Sequence, residues 1–527
     1  MQDYDVAIVG FGPAGATAAA LLGQAGVRTL VIDRLTEIYD RPRAFSLDHE
    51  IMRVFQNLGL AAEIAPHVAP FSASEHYGVD GQLIRRLTMI DPPYPLGWTP
   101  SMVFLQPPVE AALRRCATAA ASVHVETGVD LTDLRQDESG VTLDLVGIEA
   151  GAAPRRARAR YLIGCDGASS TVRRLAAIAS DDLGFDEPWL VVDILLKDGG
   201  GARLPPASAQ FCEPARPITY LIGTRNHRRF EIMLLPGEDP RAMEADPAVW
   251  QLLKRWLAPD EATLWRRASY RFHALVASPW RRGRVFLAGD AAHQQPPFLG
   301  QGMCQGVRDV ANLSWKLAAV LSGRAGAALL DTYGEERSGH VRALTATIKH
   351  IGEAVCERDP ARARQRDADL VAQQGGTVRS VPRQDLIPPL RSGLVSGQEH
   401  AAIGTLFPQP WVATAAGSGL LDDLAGGGVR VMLAADFDAT ALADDAAAIG
   451  ARLIRFVAGP PTVGAACEVA ERDGIVAAWF ARHDVRMALV RPDHYVFGVA
   501  RQSTDALALI VALRAGLRGA SEQSSQT

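Results

Sequence analysis

"YDVAIVGFGPAGATAAALLGQAGVRTLVID", residues 4–33, decides the fold. Val6 to Val9 are continuously apolar, the pattern of a parallel strand covered on both faces. Gly10, Gly12 and Gly15 then fit G-x-G-x-x-G, and an Ala- and Leu-rich helix runs on to a stop signal at Gly26. Thr29 to Ile32 give the next strand, which closes on Asp33. Each glycine has a task here. Gly10 permits the tight turn, Gly12 lets a pyrophosphate reach the backbone, and Gly15 lets helix and strand pack closely. The helix opens at Pro13 and Ala14 with its N-terminus toward the phosphate charge. Asp33, followed by Arg34, offers a carboxylate to a ribose hydroxyl pair. A glycine turn in some other α/β protein is the plainer alternative, but strand, helix and terminal acid together point to dinucleotide binding. Asp33 disfavours a 2′-phosphate and does not separate NAD from FAD.

Two later segments narrow the choice. "CDGASSTVRR", residues 165–174, follows an apolar strand end and matches DG-x-x-S-x-x-R through Asp166, Gly167, Ser170 and Arg173. "VFLAGDAAHQQPPFLGQGMCQG", residues 285–306, drives a strand into Gly289 and Asp290, then His293, Pro296 and Pro297, then Gly300, Gly302 and Gly306. So many flexible positions after a buried strand imply that something approaches the main chain closely. Beyond Gly306, Val307, Val310, Ala311, Ser314, Leu317, Ala318 and Leu321 share one face of a long helix. A second helix is expected from about 330 to 357.

These three ordered motifs resemble the FAD-dependent aromatic hydroxylases, the p-hydroxybenzoate hydroxylase-like single-component flavoprotein monooxygenases. "YDRPRAFSLDHEIMRVFQNLGL", "FLQPPVEAALR" and the C-terminal texture are most similar to the hydroxyphenylpropionate hydroxylase branch, and the likeness spans nearly the whole chain. The resemblance implies that the first motif holds the ADP half of FAD and Asp290 the ribitol. By it Asp166 serves FAD, Arg41, Arg43 and Gln106 touch it, and Gly300, Gln301, Gly302 and Met303 line the isoalloxazine. Main-chain amides there, with a helix N-terminus behind them, would stabilise reduced flavin. Pro296 and Pro297 would stiffen the wall beside the reacting edge. Relatives often carry Asn where this chain has Cys304, so backbone rather than side-chain contact is expected there.

The implied reaction consumes NADH or NADPH and O2. It hydroxylates a phenolic substrate, a hydroxyphenyl-propionate-like acid, ortho to its hydroxyl through a flavin C4a-hydroperoxide. Hydroxylation of an aromatic polyketide antibiotic, or a halogenase or oxidase on the same scaffold, stays open. A halogenase W-x-W-x-I-P segment is missing; "GWTP" at 97–100 does not replace it. His293, His49 and Tyr220 are the catalytic candidates, although a hydrogen-bonded structural histidine and a packed tyrosine are the blander readings. The resemblance implies that Trp189, like Tyr220, lies on a sheet segment forming the substrate floor, with core packing the plainer reading. Arg225, Arg228 and Arg229 could meet a carboxylate or form a solvated strand end.

Composition is that of an ordinary globular protein: 527 residues, 48% hydrophobic and 21% charged, with net charge -5. That balance offers no basic face for nucleic acid and no polybasic anchor for a membrane. No apolar run reaches the roughly 18 residues that a span needs. The N-terminus is acidic and enters a strand at once, unlike a secretory signal. Six scattered cysteines without CxxC spacing predict reduced thiols, a cytoplasmic location and no metal site.

The expected fold is α/β: a Rossmann-like FAD-binding domain from residues 1–180 and 276–357, interleaved with an antiparallel-sheet substrate domain over 181–275 and parts of 70–105. Residues 358–400, rich in Arg, Gln, Pro and Gly, read as a loose or helical connection. Residues 401–517 read as a thioredoxin-like domain which, with Cys467 alone, cannot do dithiol chemistry. The tail 518–527 is expected to be disordered, and a homodimer is favoured by the resemblance.

Overall fold

The computed structural model describes residues 3–462 and 467–519. The expected disordered tail lies outside them from residue 520 onward. The first strand, Asp3–Val9, sits at the centre of a sheet with parallel neighbours Thr29–Asp33 and Arg155–Gly164. Val123–Thr127 and Val285–Leu287 extend it in parallel on either side. Strands buried on both faces need unbroken apolar runs, which is why Val6, Ala7, Ile8 and Val285 to Leu287 are fully buried. Strands Val141–Gly147 and Arg155–Gly164 belong to this first sheet. Val141–Gly147 pairs antiparallel with the lower half of Arg155–Gly164, whose upper half pairs in parallel with the first strand.

The second sheet has nine strands among the described residues. Its longest strands are the antiparallel pair Ala179–Leu196 and Ala262–Ser278, with His227–Met233, Ile218–Ile222 and Ser208–Phe211 following in order on one side. Ser74–Tyr77 and Leu83–Thr88 continue it on that side. Segment 358–400, expected as a loose or helical connection, holds a helix and adds a strand to this sheet. Pro360–Gln373 is a helix capped by Asp359, and Ser380–Pro382 joins the sheet beside Leu83–Thr88.

Helix Pro13–Gln24 packs against helix Gly302–Leu321 behind the first sheet. Glycines let these parts meet. A Cβ on Gly15 would fall 1.9 Å from the carbonyl oxygen of Gly10. A Cβ on Gly10, at φ +100°, would fall 2.3 Å from that of Cys165. At the C-terminus a third sheet has parallel Arg430–Leu433 and Arg452–Phe456 at its centre, with Met487–Val490 and Val496–Ala500 antiparallel beyond. Arg53, on helix His49–Asn57, reaches into that unit and pairs with Asp422.

Candidate active site

A cavity of about 680 Å³ runs between the first two sheets, from the Gly10 turn to the face of the nine-stranded sheet. One half of it is built by the three motifs. Gly10, Gly12, Pro13 and Ala14 form one end, with Asp33 and Arg34 beside them. Asp33 braces the turn: its Oδ2 accepts from Phe11 N at 2.6 Å and its Oδ1 from Leu35 N at 2.7 Å. Helix Pro13–Gln24 carries no side-chain cap and no acid in its first turn, so its amide donors remain for an anion. A Cβ on Gly12 or on Gly302 would meet no protein atom within 4 Å, so open space lies against both backbones. The residues present therefore fit a dinucleotide whose pyrophosphate meets the first helix. Asp166, Gly289 and Asp290 line the next stretch. Desolvation by the surrounding protein pushes the carboxyls of Asp166 and Asp290 above their ordinary range, although Asp290 is exposed to the open cavity; Asp309 adds to the rise at Asp290, while His293 and Arg43 oppose it. Pro297, Gly300, Gly302 and Met303 close this half, with Gly300 in the left-handed region at φ +62°.

Gln106 ties the Arg43 loop to the same cavity. Its Oε1 accepts from Ala44 N at 2.7 Å and Arg43 N at 3.1 Å, and its Nε2 donates to Glu110 at 3.1 Å. Glu110 in turn accepts from Arg114 at 2.8 Å, whose guanidinium lies 4.9 Å from the Phe11 ring centroid. Glu110 and Arg114 line the cavity and are absent from the sequence-based candidates; their i,i+4 spacing on the Gln106 helix is the signal that could have found them.

The other half is a chamber of mixed apolar and charged lining. Phe71, Phe272, Phe298 and Leu299 give it apolar walls, and Val191, Thr219 and Leu221 come from the sheet. Arg229 and Arg266 converge on buried Asp193, at 2.7 and 3.2 Å. Burial works against the Asp193 charge, yet Arg229 and His227 outweigh it and hold the carboxyl below its ordinary range. Arg383 lines the same chamber from the segment read as a connection. Buried, it makes no ion pair among the described residues; its Nη2 donates to Leu299 O at 2.6 Å and it lies 4.2 Å from the Phe71 ring centroid.

Residues 3–347 match the family model described as FAD binding domain, and residues 404–515 match the HcaD C-terminal domain. The chain belongs to the FAD-dependent aromatic hydroxylases. It is 36% identical to a probable NADH-specific resorcinol 4-hydroxylase of Rhodococcus jostii (strain RHA1), over 95% of this chain and 93% of the relative. It is 34% identical to a 3-(3-hydroxy-phenyl)propionate/3-hydroxycinnamic acid hydroxylase of Mycobacterium avium (strain 104), over 99% and 94%. Its fold matches the crystal structure of the flavin-dependent monooxygenase PieE in complex with FAD and substrate, with TM-score 0.82 and 23% identity over 98% and 99% of the two chains.

Within this hydroxylase the remaining sequence candidates separate. Gly15 packs behind the turn, as its Gly10 contact requires, and does not line the cavity. Arg41 turns away to the Trp265 carbonyl. The Gln301 side chain is taken by Arg308 Nη1 at 2.9 Å, and Pro296 stands outside the lining while Pro297 is in it. His293 is buried, bonded to Asp309 and stacked on Trp280 at 5.4 Å, so it serves as a brace. His49 faces an adjoining cavity of about 250 Å³. Burial pushes its imidazole down to about 4, against the pull of Asp48, so it is neutral at pH 7. Tyr220 points the wrong way. Side chains alternate along a strand, and with Thr219 and Leu221 facing the chamber Tyr220 packs on Phe230 in the opposite layer. Of the three arginines read together, Arg229 alone lines the chamber, and it is buried rather than solvated. Trp189 stacks on Phe272 at 5.6 Å behind the wall. No helix among the described residues is long and apolar enough to cross a membrane.

Proposed function

We propose that this chain uses NADH and O2 to hydroxylate a hydroxyphenyl-propionate-like acid ortho to its hydroxyl, giving a catechol. The observation that carries the substrate class is Arg383: a buried guanidinium with no carboxylate of its own, in a chamber walled by aromatic rings. An uncompensated buried cation calls for an anion, and a substrate carboxylate supplies it with charge-assisted hydrogen bonds.

Bound FAD would supply the redox chemistry, passing electrons from NADH to O2 so that one oxygen atom reaches the ring and the other leaves as water. The chain does the rest. Gly12 and the first-helix amides take the pyrophosphate, and Asp33 and Asp290 accept from sugar and ribitol hydroxyls. The uncapped start of helix Gly302–Leu321 directs partial positive charge at the flavin end of the chamber, where it favours a reduced, anionic ring. Phe71, Phe272 and Phe298 exclude water, which protects the reactive oxygen from wasteful release as peroxide.

The test is a panel on the purified yellow protein: 3-(3-hydroxyphenyl)propionate, 3-hydroxycinnamate, resorcinol and the propionamide of the first, each with NADH or NADPH. Oxygen uptake, peroxide and product are measured. The acids should give catechols with little peroxide, NADH should outpace NADPH, and the amide should bind at least tenfold more weakly. Turnover confined to resorcinol would remove the acid from the proposal, and no stimulation by any phenol would remove the substrate class.

A further inference from the structure

We propose that Glu231 is the acceptor for the substrate's phenol hydroxyl and takes its proton as the ring is attacked. This rests on the phenolic reading above and adds the missing base to it.

Glu231 is 4% exposed, and that small exposure opens into the chamber. Its carboxyl accepts no hydrogen bond among the described residues, and its nearest cation, Arg229 Nη1, stands 4.0 Å away. Arg229 is already committed to Asp193 and to the carbonyls of Arg43 and Pro42. A buried carboxylate left without donors is costly unless a ligand brings one. A phenol O–H is such a donor, and the chamber is lined for an aromatic ring.

The sheet fixes the position. Pairing places Glu231 opposite Thr219 on one side and Val191 on the other, and Gln210 lies opposite Thr219. Thr219 Oγ1 donates its proton to Gln210 Oε1 at 2.5 Å, so Thr219 does not donate to Glu231. The charged groups around it are Arg229 on its own strand, Asp193 on Ala179–Leu196 and Arg266 on Ala262–Ser278, with Arg383 across the chamber. His76, one strand beyond Gln210, is held neutral by burial, its imidazole pushed down to about 3. Burial pushes the Glu231 carboxyl up to about 7, against Arg229 and Arg266 and with help from Asp193. A base tuned near working pH transfers protons efficiently.

In the step, the phenol O–H bond breaks, a proton joins Glu231 Oε, and the ring's electron pair forms the new C–O bond to one oxygen atom of the O2 that bound, reduced FAD would activate, as its O–O bond breaks. As the ring loses its C–H proton to the departing oxygen, which leaves as water, and regains aromaticity, the proton on Glu231 returns to the original oxygen.

The experiment compares wild type, Glu231→Gln and Glu231→Asp as FAD-loaded enzymes. Flavin content should be unchanged. In wild type kcat should rise with pH through a limb near 7; in Glu231→Gln the limb should vanish and kcat fall about 10²- to 10⁴-fold, with partial recovery in Glu231→Asp. A Gln variant keeping both the limb and kcat within threefold overturns the proposal. If wild type hydroxylates no phenol, the substrate reading has failed on its own. Binding of 3-(3-hydroxyphenyl)propionate, read from flavin absorbance, then judges Glu231: pH dependence in wild type that the Gln variant lacks supports it, and identical binding, or none, overturns it.

Discussion

His293 Nε2 lies 2.8 Å from Asp309 Oδ2, deep beneath the third glycine motif. The same carboxylate accepts from Gly289 N at 3.0 Å and from Arg337 Nε at 2.9 Å. One buried acid thus fixes the turn that presents Asp290, and His293 braces that acid. His293→Gln should keep the pH profile of hydroxylation while lowering stability by about 1–3 kcal/mol. Asp309→Asn, which strands Arg337, should cost about 3–5 kcal/mol. Thermal unfolding of both variants, with a pH–rate profile of the first, checks this.

The two first-motif glycines should fail in different ways. Gly10→Ala places a Cβ 2.3 Å from a backbone oxygen at a φ that L-residues avoid, so the protein should be destabilised. Gly12→Val meets no protein atom at its Cβ and fills the open cradle, so the chain should fold, with near-normal melting, and purify colourless. Visible absorbance alongside melting temperature distinguishes the two.

Glu231 should also be visible in stability. Its folded pKa, about 7, is raised, so its contribution is intact below the unfolded carboxyl range and is lost as pH rises through about 7. Glu231→Gln should therefore stabilise the protein at pH 8 by up to about 3 kcal/mol and do little at pH 4. Denaturant unfolding at the two pH values measures the difference. An equal effect at both would show that no ionisation is involved.

Asp422 carries the opposite sign. Burial opposes its charge, but Arg53, His494 and Arg430 hold the carboxyl well below the usual range. Its contribution is present above the unfolded carboxyl pKa, about 4, and is lost only as pH falls below that. Asp422→Asn should cost about 3–5 kcal/mol at pH 7, because two buried arginines lose their anion. The penalty should shrink in acid, measurable by denaturant unfolding at pH 3 and 7.

Strands, turns and helix starts around the cofactor were legible because glycine spacing and unbroken apolar runs are local signals. Asp33, Asp166 and Asp290 could be placed from their position at strand ends. What the sequence concealed depends on register. Nothing near Tyr220 says which face it takes, and a one-residue shift in pairing exchanges Tyr220 for Thr219. Arg383 was hidden for another reason: its segment has loop-like composition, and its place in the chamber depends on Ser380–Pro382 pairing with a strand roughly 300 residues earlier. Glu231 looks like any charged strand residue until its neighbours are known.

The Arg53 clamp has a consequence for how the molecule is made. Arg53 is fully buried, and its recorded partners, the Asp422 carboxylate and the Phe407 carbonyl, both lie in the last quarter of the chain. During synthesis the flavin-binding half therefore emerges with a bare guanidinium at a surface that has not yet been covered. There it stands in water until residues some 350 positions later have been made, so burial of Arg53 requires that the C-terminal unit be present to cover it.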